Sequence, residues 1–376
     1  MRRRVLYVSG TRADFGLMRS TLLCAAQHPG LEVTVCVTGA HLMPTQGMTV
    51  RDVEASGLPI SGRIEAPVDS DDGLAMARSV GRVILGLTDL LVAQRPDLVL
   101  LLGDRGEMLG AAIAGVHANT IVAHVHGGER SGTIDESVRH AISKLAHYHF
   151  VATGGSRERL VRMGERADSV FVTGAPGLDA LADLPLRGRA ELAAEVGLDA
   201  GAAIALLVYH PVMQDAEASG AQAEAIVSAL REAGLQVVCL LPNSDAGNAA
   251  IRRRFEVAAS ASFRCFTHLP REHFLAWMAV ADVMVGNSSS GIIEAPSFGL
   301  PVVNIGDRQR LRERATNVVD CEPTVASIRD ALHTARLRRG VRFENPYGDG
   351  RAGERIVTRL HELPLDKALL KKCNVY

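Results

Sequence analysis

Residues 97–150 read DLVLLLGDRGEMLGAAIAGVHANTIVAHVHGGERSGTIDESVRHAISKLAHYHF. An apolar run, Leu98 to Leu102, stops at Gly103-Asp104-Arg105, and a second, Thr120 to Val125, stops at His126-Gly127-Gly128-Glu129. Between them Met108, Leu109, Ile113 and Val116 recur at helical spacing. Two short buried runs joined by a helix predict parallel strands of a βαβ unit. Open α/β sheets bind ligands beyond the carboxyl ends of their strands. Both runs end there in ionisable residues beside glycine, so chemistry is expected at that edge.

The helix that follows is predicted over 134–146, with apolar residues at 134, 138, 142 and 145. Asp135, Glu136 and Arg139 fall in its first turn and a half, and Asp135 and Arg139 share a face at i,i+4. One reading is an ordinary helix start with a surface ion pair. The other is a ligand-facing cluster, because this helix opens directly after the glycine-rich strand end. His124 and His126 alternate along the strand and are expected to point the same way. No third ligand stands at a recognised spacing, so no metal is expected.

A chain of 376 residues exceeds one ordinary core, so two domains are expected. Hydrophobic content of 47% suits a well-buried α/β protein. The net charge of −1 argues against a nucleic-acid or membrane-surface partner. Four of the 41 basic residues are lysines, at 144, 367, 371 and 372, leaving 41 − 4 = 37 arginines. Base composition explains most of these, but an arginine beside a glycine loop also suits bidentate phosphate binding. The six cysteines form no CxxC or Cys/His cluster, which fits reduced thiols in a cytoplasmic protein. The apolar run that follows Met1-Arg-Arg-Arg, Val5 to Val8, is too short for a signal peptide core, and no stretch approaches a membrane span.

Along the chain, Val5 to Ser9 reads as the first strand and residues 10–16 as a turn before a helix from about Leu17. Arg12 and Asp14 in that turn suit phosphate and sugar contacts, or equally a solvated turn with Asp14 near a helix N-terminus. A strand over 33–37 precedes a loop-rich segment, 46–72, placed over a cleft. A helix over 73–94 follows. The join at 181–189 separates a second run of alternating strands and helices, with strands ending at His210 and at Pro242-Asn243. Residues 286–291, GNSSSG, end a strand and open a helix. Unsatisfied backbone N–H groups, serine hydroxyls and glycine favour an anion there over a plain serine cap. The whole reads as two α/β units whose strand ends enclose a cleft, fitting a sugar nucleotide.

Taken together, TRADF (11–15), GDR (103–105), GGERSGTIDESVRHAISKLAHYH (127–149), HPV (210–212), PNSDAG (242–247), GNSSSG (286–291), GDRQ (306–309) and YGDG (347–350) resemble the hydrolysing UDP-N-acetylglucosamine 2-epimerases along nearly the whole chain. The resemblance implies a GT-B-like fold of two Rossmann-like, doubly wound domains, here 1–183 and 184–350. Residues 351–376 then form a C-terminal helix and basic tail packing back toward the first domain. It implies a homodimer or homotetramer and a reaction with no metal or other cofactor. UDP-N-acetylglucosamine would lose the C2 proton as UDP leaves, giving a glycal that water converts to N-acetylmannosamine, in nonulosonic acid biosynthesis. A related substrate in the legionaminic acid pathway is UDP-2,4-diacetamido-2,4,6-trideoxyglucose. Non-hydrolysing epimerases, retaining glycosyltransferases and a non-catalytic sugar-nucleotide binder are the competing readings.

By position, Asp104 and Asp135 match catalytic carboxylates, and Arg139, His210 and Asp14 match active-site positions. Arg12, Arg105, Asn243, Asn287, Ser288, Ser289, Ser290, Gly291, Glu294 and Arg308 match the nucleotide side. The chain departs at His126, where well-studied members carry glutamate. Proton abstraction then falls either to His126, whose imidazole can act near neutral pH, or to Glu129.

Overall fold

The computed structural model describes residues 2–70, 72–179, 181, 187–243 and 245–376. Seven parallel strands build the first sheet: β1 (Arg3–Ser9), β2 (Leu31–Thr38), β3 (Ile60–Ile64), β4 (Leu98–Leu102), β5 (Ile121–Val125), β6 (Tyr148–Val151) and β7 (Val170–Val172), in the order β3-β2-β1-β4-β5-β6-β7. Six more build the second: β8 (Ile204–Val208), β9 (Gln236–Leu240), β10 (Phe263–Phe266), β11 (Val283–Gly286), β12 (Val302–Ile305) and β13 (Val318–Cys321), ordered β10-β9-β8-β11-β12-β13. Winding reverses beside the first strand of each sheet, between β1 and β4 and between β8 and β11. A crevice at the carboxyl ends opens at such switch points. This is the doubly wound, GT-B-like pair of Rossmann-like units.

Helices cover both faces, so the central strands β4, β5 and β8 are almost wholly apolar, His124 in β5 being the exception. Every residue of β4, β5 and β8 is buried. Two core clusters flank the first sheet and two the second. A smaller one, with Ala152, Leu178, Ile292, Ile293 and Tyr347, joins the lobes. Helix Ala352–Glu362 returns to the first lobe, burying Ile356, Val357 and Leu360 in its core. At about 2 kcal/mol per buried aliphatic side chain this is a substantial anchor. The Asp179 carboxylate accepts from the Ala352 N–H at 2.8 Å and from the Gly353 N–H, capping that helix.

Several elements differ from the sequence expectation. The first helix starts at Arg12, not near Leu17, because Thr11 and Asp14 form a reciprocal capping box. The segment 46–72 is not simply a loop: it holds helix Val50–Ala55 and edge strand β3, whose glycine interrupts the alternation that would betray a strand. Strand β13 also escapes notice, being four residues long and only partly buried. The predicted boundary at 183/184 lies outside the described residues. Among the described residues no helix is long and apolar enough to cross a membrane.

Candidate active site

The charged loops of the two sheets meet edge to edge. From the first lobe, Asp104 follows β4, His126 and Glu129 follow β5, and Asp135 and Arg139 stand on helix Ile134–Leu145. Arg139 is almost fully buried (1% exposed). It donates to Asp104, to the Glu129 carbonyl at 2.9 Å and to the Ser131 hydroxyl at 3.3 Å. The i,i+4 surface pair with Asp135 therefore does not form. Glu136 takes the structural role instead, accepting from the N–H groups of Ser131 (2.6 Å) and Gly132 (2.9 Å). Asp135 is left facing the second lobe, where Arg308 approaches its carboxylate at 3.5 Å.

These two aspartates have opposite electrostatics. Burial disfavours the charged form of Asp104, but Arg139 and Arg312 outweigh it and hold the carboxyl below its ordinary range. Burial raises Asp135, and the nearby charge of Asp104 raises it further. Two carboxyls pushed apart in this way suit one anionic and one proton-carrying role.

The expectation that His124 and His126 point the same way fails. Strand β5 ends at Val125, and His126 adopts a left-handed backbone with φ of 65°. Such a conformation costs a non-glycine residue about 1–3 kcal/mol and redirects its side chain. His124 stays in the sheet, bonded to the Gly103 carbonyl (2.7 Å) and the Ser143 hydroxyl (3.0 Å), a satisfied core histidine. His126 instead meets Glu129, Nδ1 to Oε1 at 2.5 Å, so the two candidates for proton abstraction form one pair. Burial, with repulsion from Arg312 and Arg139, pushes His126 down toward the neutral ring. Its Nε2 is buried without a hydrogen-bond partner.

The second lobe supplies the opposite wall. The His210 N–H donates to the Asn287 side-chain carbonyl at 2.8 Å, and the Asn287 amide donates to the His210 carbonyl at 2.8 Å. This reciprocal pair ties β8 to β11 across the switch point. The Asn243 N–H donates to His210 Nδ1 at 3.2 Å, which leaves the proton of the neutral ring on Nε2. Burial and then Arg308 push His210 down to about 3. Asp245, which sequence reading did not single out, receives the Asn243 amide at 2.6 Å and Arg105 of the first lobe at 2.6 Å.

The nucleotide-side candidates divide. The Asp14 carboxylate is buried and accepts from Gly10 N–H (3.0 Å), Thr11 N–H (2.7 Å), the Thr11 hydroxyl (3.0 Å) and Ser9. That is the helix-capping reading of this residue. Arg12 reaches the second lobe, donating to the Thr267 carbonyl and lying 3.2 Å from His268 Nδ1. Burial lowers Arg12 to about 10. Glu294 is buried and pairs with Arg271, which also donates to the Gly177 carbonyl at 2.7 Å. The GNSSSG turn opens only a single helical turn, Ser290–Ile293, running into a 3-10 segment. Its dipole is therefore weak, and any anion must rely more on the arginines and on Ser288, Ser289, Ser290 and Gly291. The Ser288 and Ser290 hydroxyls lie 2.8 Å apart. Arg308 donates to the Asn287 carbonyl at 3.1 Å at the same edge.

Sequence reading also missed Arg312, which pairs with both Asp104 (3.8 Å) and Glu129 from across the cleft. No local signal marks it, since it is one of four arginines within residues 308–314.

Two parallel doubly wound lobes closing on a cleft of arginines, carboxylates and imidazoles define a GT-B-like α/β protein. The sequence model of the UDP-N-acetylglucosamine 2-epimerase family matches residues 24–361, and the chain belongs to that family. It is 46% identical, over 100% of both chains, to the hydrolysing UDP-N,N'-diacetylbacillosamine 2-epimerase of Legionella pneumophila. It is 34% identical to the UDP-N-acetylglucosamine 2-epimerase of Neisseria meningitidis, over 89% of this chain and 87% of that one. The crystal structure of the Methanocaldococcus jannaschii UDP-GlcNAc 2-epimerase with UDP-GlcNAc and UDP superposes with a TM-score of 0.79, at 17% identity, over 95% of this chain and 99% of that one.

Proposed function

We propose that the protein is a hydrolysing 2-epimerase of a UDP-linked 2-acetamido sugar, releasing UDP and the free, C2-inverted sugar. The observation that carries this reading is the meeting of Asp104, Asp135 and the His126–Glu129 pair with Arg308 and His210 of the opposite lobe. A base takes the C2 proton while the C1–O bond breaks and its electron pair leaves with UDP. Water then adds its oxygen to C1 of the glycal, and a proton returns to C2 on the other face. This requires proton-carrying groups on both faces of one ring. His126 Nε2 and the anionic Asp104 suit abstraction, and Asp135, raised by burial, suits proton return. The His210 Nε2–H and Arg105 and Arg308 oppose the charge growing on the departing diphosphate.

The Legionella relative favours the diacetamido sugar nucleotide over UDP-N-acetylglucosamine as the physiological substrate, since its identity is the higher and spans both chains. We take the lobes to be 1–183 and 184–350, with 351–376 belonging to the first, and the working unit to be a homodimer or homotetramer. Proton NMR in D2O with each sugar nucleotide tests the reaction. Free inverted sugar carrying deuterium at C2, together with UDP, is expected; an inverted sugar still attached to UDP would reject the hydrolysing route.

A further inference from the structure

Arg312 is the feature of the cleft that the reaction as written leaves unused. It is buried (side chain 7% exposed), it comes from the loop after β12, and its partners belong to the other lobe. It holds Glu129 Oε2, while Glu129 Oε1 meets His126 Nδ1 at 2.5 Å. A carboxylate so held is an acceptor, and the hydrogen it accepts from the imidazole must then sit on Nδ1. Nε2 is left with a bare lone pair, and it is this atom that is buried and unpartnered. The same guanidinium reaches Asp104 at 3.8 Å.

We propose that Arg312 is the positioning residue of the proton-transfer cluster: crossing from the second lobe, it fixes Glu129 and, through Glu129, the tautomer that presents His126 Nε2 as the proton acceptor. The inference rests on the proposed epimerase reading for its catalytic consequence but not for its tautomer. It also ties chemistry to lobe closure, because β12 and β5 lie in different sheets and the three-residue relay exists only when they meet. An open enzyme would hold an imidazole free to take either tautomer.

The charged groups facing His126 are Arg312 and Glu129, Arg139 from helix Ile134–Leu145, Asp104 after β4, and Glu294 after the GNSSSG turn. Removing Arg312 removes a repulsion on the imidazolium and leaves the acidic neighbours, so His126 must become easier to protonate.

The test is 15N NMR of the full-length protein labelled at histidine, with the His126 signals assigned by their loss in His126→Gln. In the wild type, a protonated Nδ1 and a bare Nε2 are expected at neutral pH. In Arg312→Met the tautomers should mix and the His126 titration should move to higher pH. Turnover should fall about 100-fold, the lower range for a general base, with the acid limb of kcat moving the same way. Arg312→Lys, which keeps the charge but loses the fork, should recover part of the tautomer preference and serves if the Met variant does not fold. A wild-type tautomer and an unmoved limb in the Arg312 variants would overturn the proposal, whatever the loss of activity. A wild type that turns over neither sugar nucleotide but shows the tautomer and its dependence on Arg312 would reject the epimerase reading alone.

Discussion

Gly286 tests whether the switch point of the second lobe is as tight as its geometry requires. It ends β11 with φ of 132°, a conformation open in practice to glycine alone. A Cβ there would lie 2.0 Å from the Val208 carbonyl oxygen and 2.6 Å from its carbon. Real Cβ contacts essentially never fall under 3.0 Å, so the ends of β8 and β11 must part by about 3.0 − 2.0 = 1.0 Å. The neighbour is backbone and cannot swing aside. Gly286→Ala therefore carries about 1–3 kcal/mol of dihedral strain and about 1–3 kcal/mol of overpacking. The sum is about 2–6 kcal/mol, seen as a lower urea midpoint. Val208 leads through Tyr209 to His210, and Gly286 leads to Asn287, so the His210–Asn287 pair shifts with the strands. A displacement of about 1 Å at such a site costs on the order of 100-fold in rate, which turnover of the UDP-sugar would show, and calorimetry with UDP is expected to show weaker binding. Gly57→Ala is the control: φ is 76° but nothing lies within 4 Å of the added Cβ, so about 1–2 kcal/mol of dihedral cost is all that remains. If Gly286→Ala matches Gly57→Ala in stability and binds UDP like the wild type, the steric reasoning is refuted.

Other measurements bear on separate parts of the molecule. His126→Gln and Glu129→Gln should both lose most turnover while binding UDP normally, because the two side chains act as one pair; full activity in either would break that pairing. Burial holds His124 and His210 down to about 3 and His147 to about 4. The unfolded chain binds their protons first, so stability present above about pH 6.5 is lost as pH falls toward those values. The slope is at most about 4 kcal/mol per pH unit for three histidines, and urea midpoints at pH 7, 6 and 5 would show it; a flat profile would contradict it. Glu165 is opposed by burial but held down to about 2 by His149, Lys144 and Lys372. Its contribution is present above the ordinary carboxylate range and lost only as pH falls below about 4.5 toward 2. Glu165→Gln strands the ammonium groups of Lys144 and Lys372 and should cost about 3–5 kcal/mol; a thermal midpoint equal to the wild type would exclude the network as a support.

That network also shows how tertiary structure gives sense to a composition. Two of the four lysines, Lys144 and Lys372, converge on Glu165, and Lys372 caps the carbonyls of Ser143, Lys144 and Ala146. A compact ammonium brings three rotatable donors to the carbonyls at the end of that helix. The C-terminal tail thereby grips the carboxyl end of the helix whose amino end carries Asp135 and Arg139.

What the sequence alone determined is whatever is encoded within a few residues. Uniformly apolar runs, glycine at their ends and amphipathic helices between them specify parallel strands, their order of occurrence and the edge that bears the chemistry. Asp104, His126, Asp135 and His210 were legible because each directly follows a strand or opens a helix. What only the tertiary structure decided depends on partners far apart along the chain. Arg312 is indistinguishable from its arginine neighbours until β12 is laid opposite β5, and Asp245 gains meaning only against Arg105. Asp14 could cap or bind until Ser9, Gly10 and Thr11 were seen to use its carboxylate oxygens. His126 reads as an alternating strand residue until a left-handed backbone turns it onto Glu129. The physical reason is range: hydrophobic periodicity and capping act over one or two turns, whereas a buried charge takes its role from whichever group the fold brings within a few ångströms.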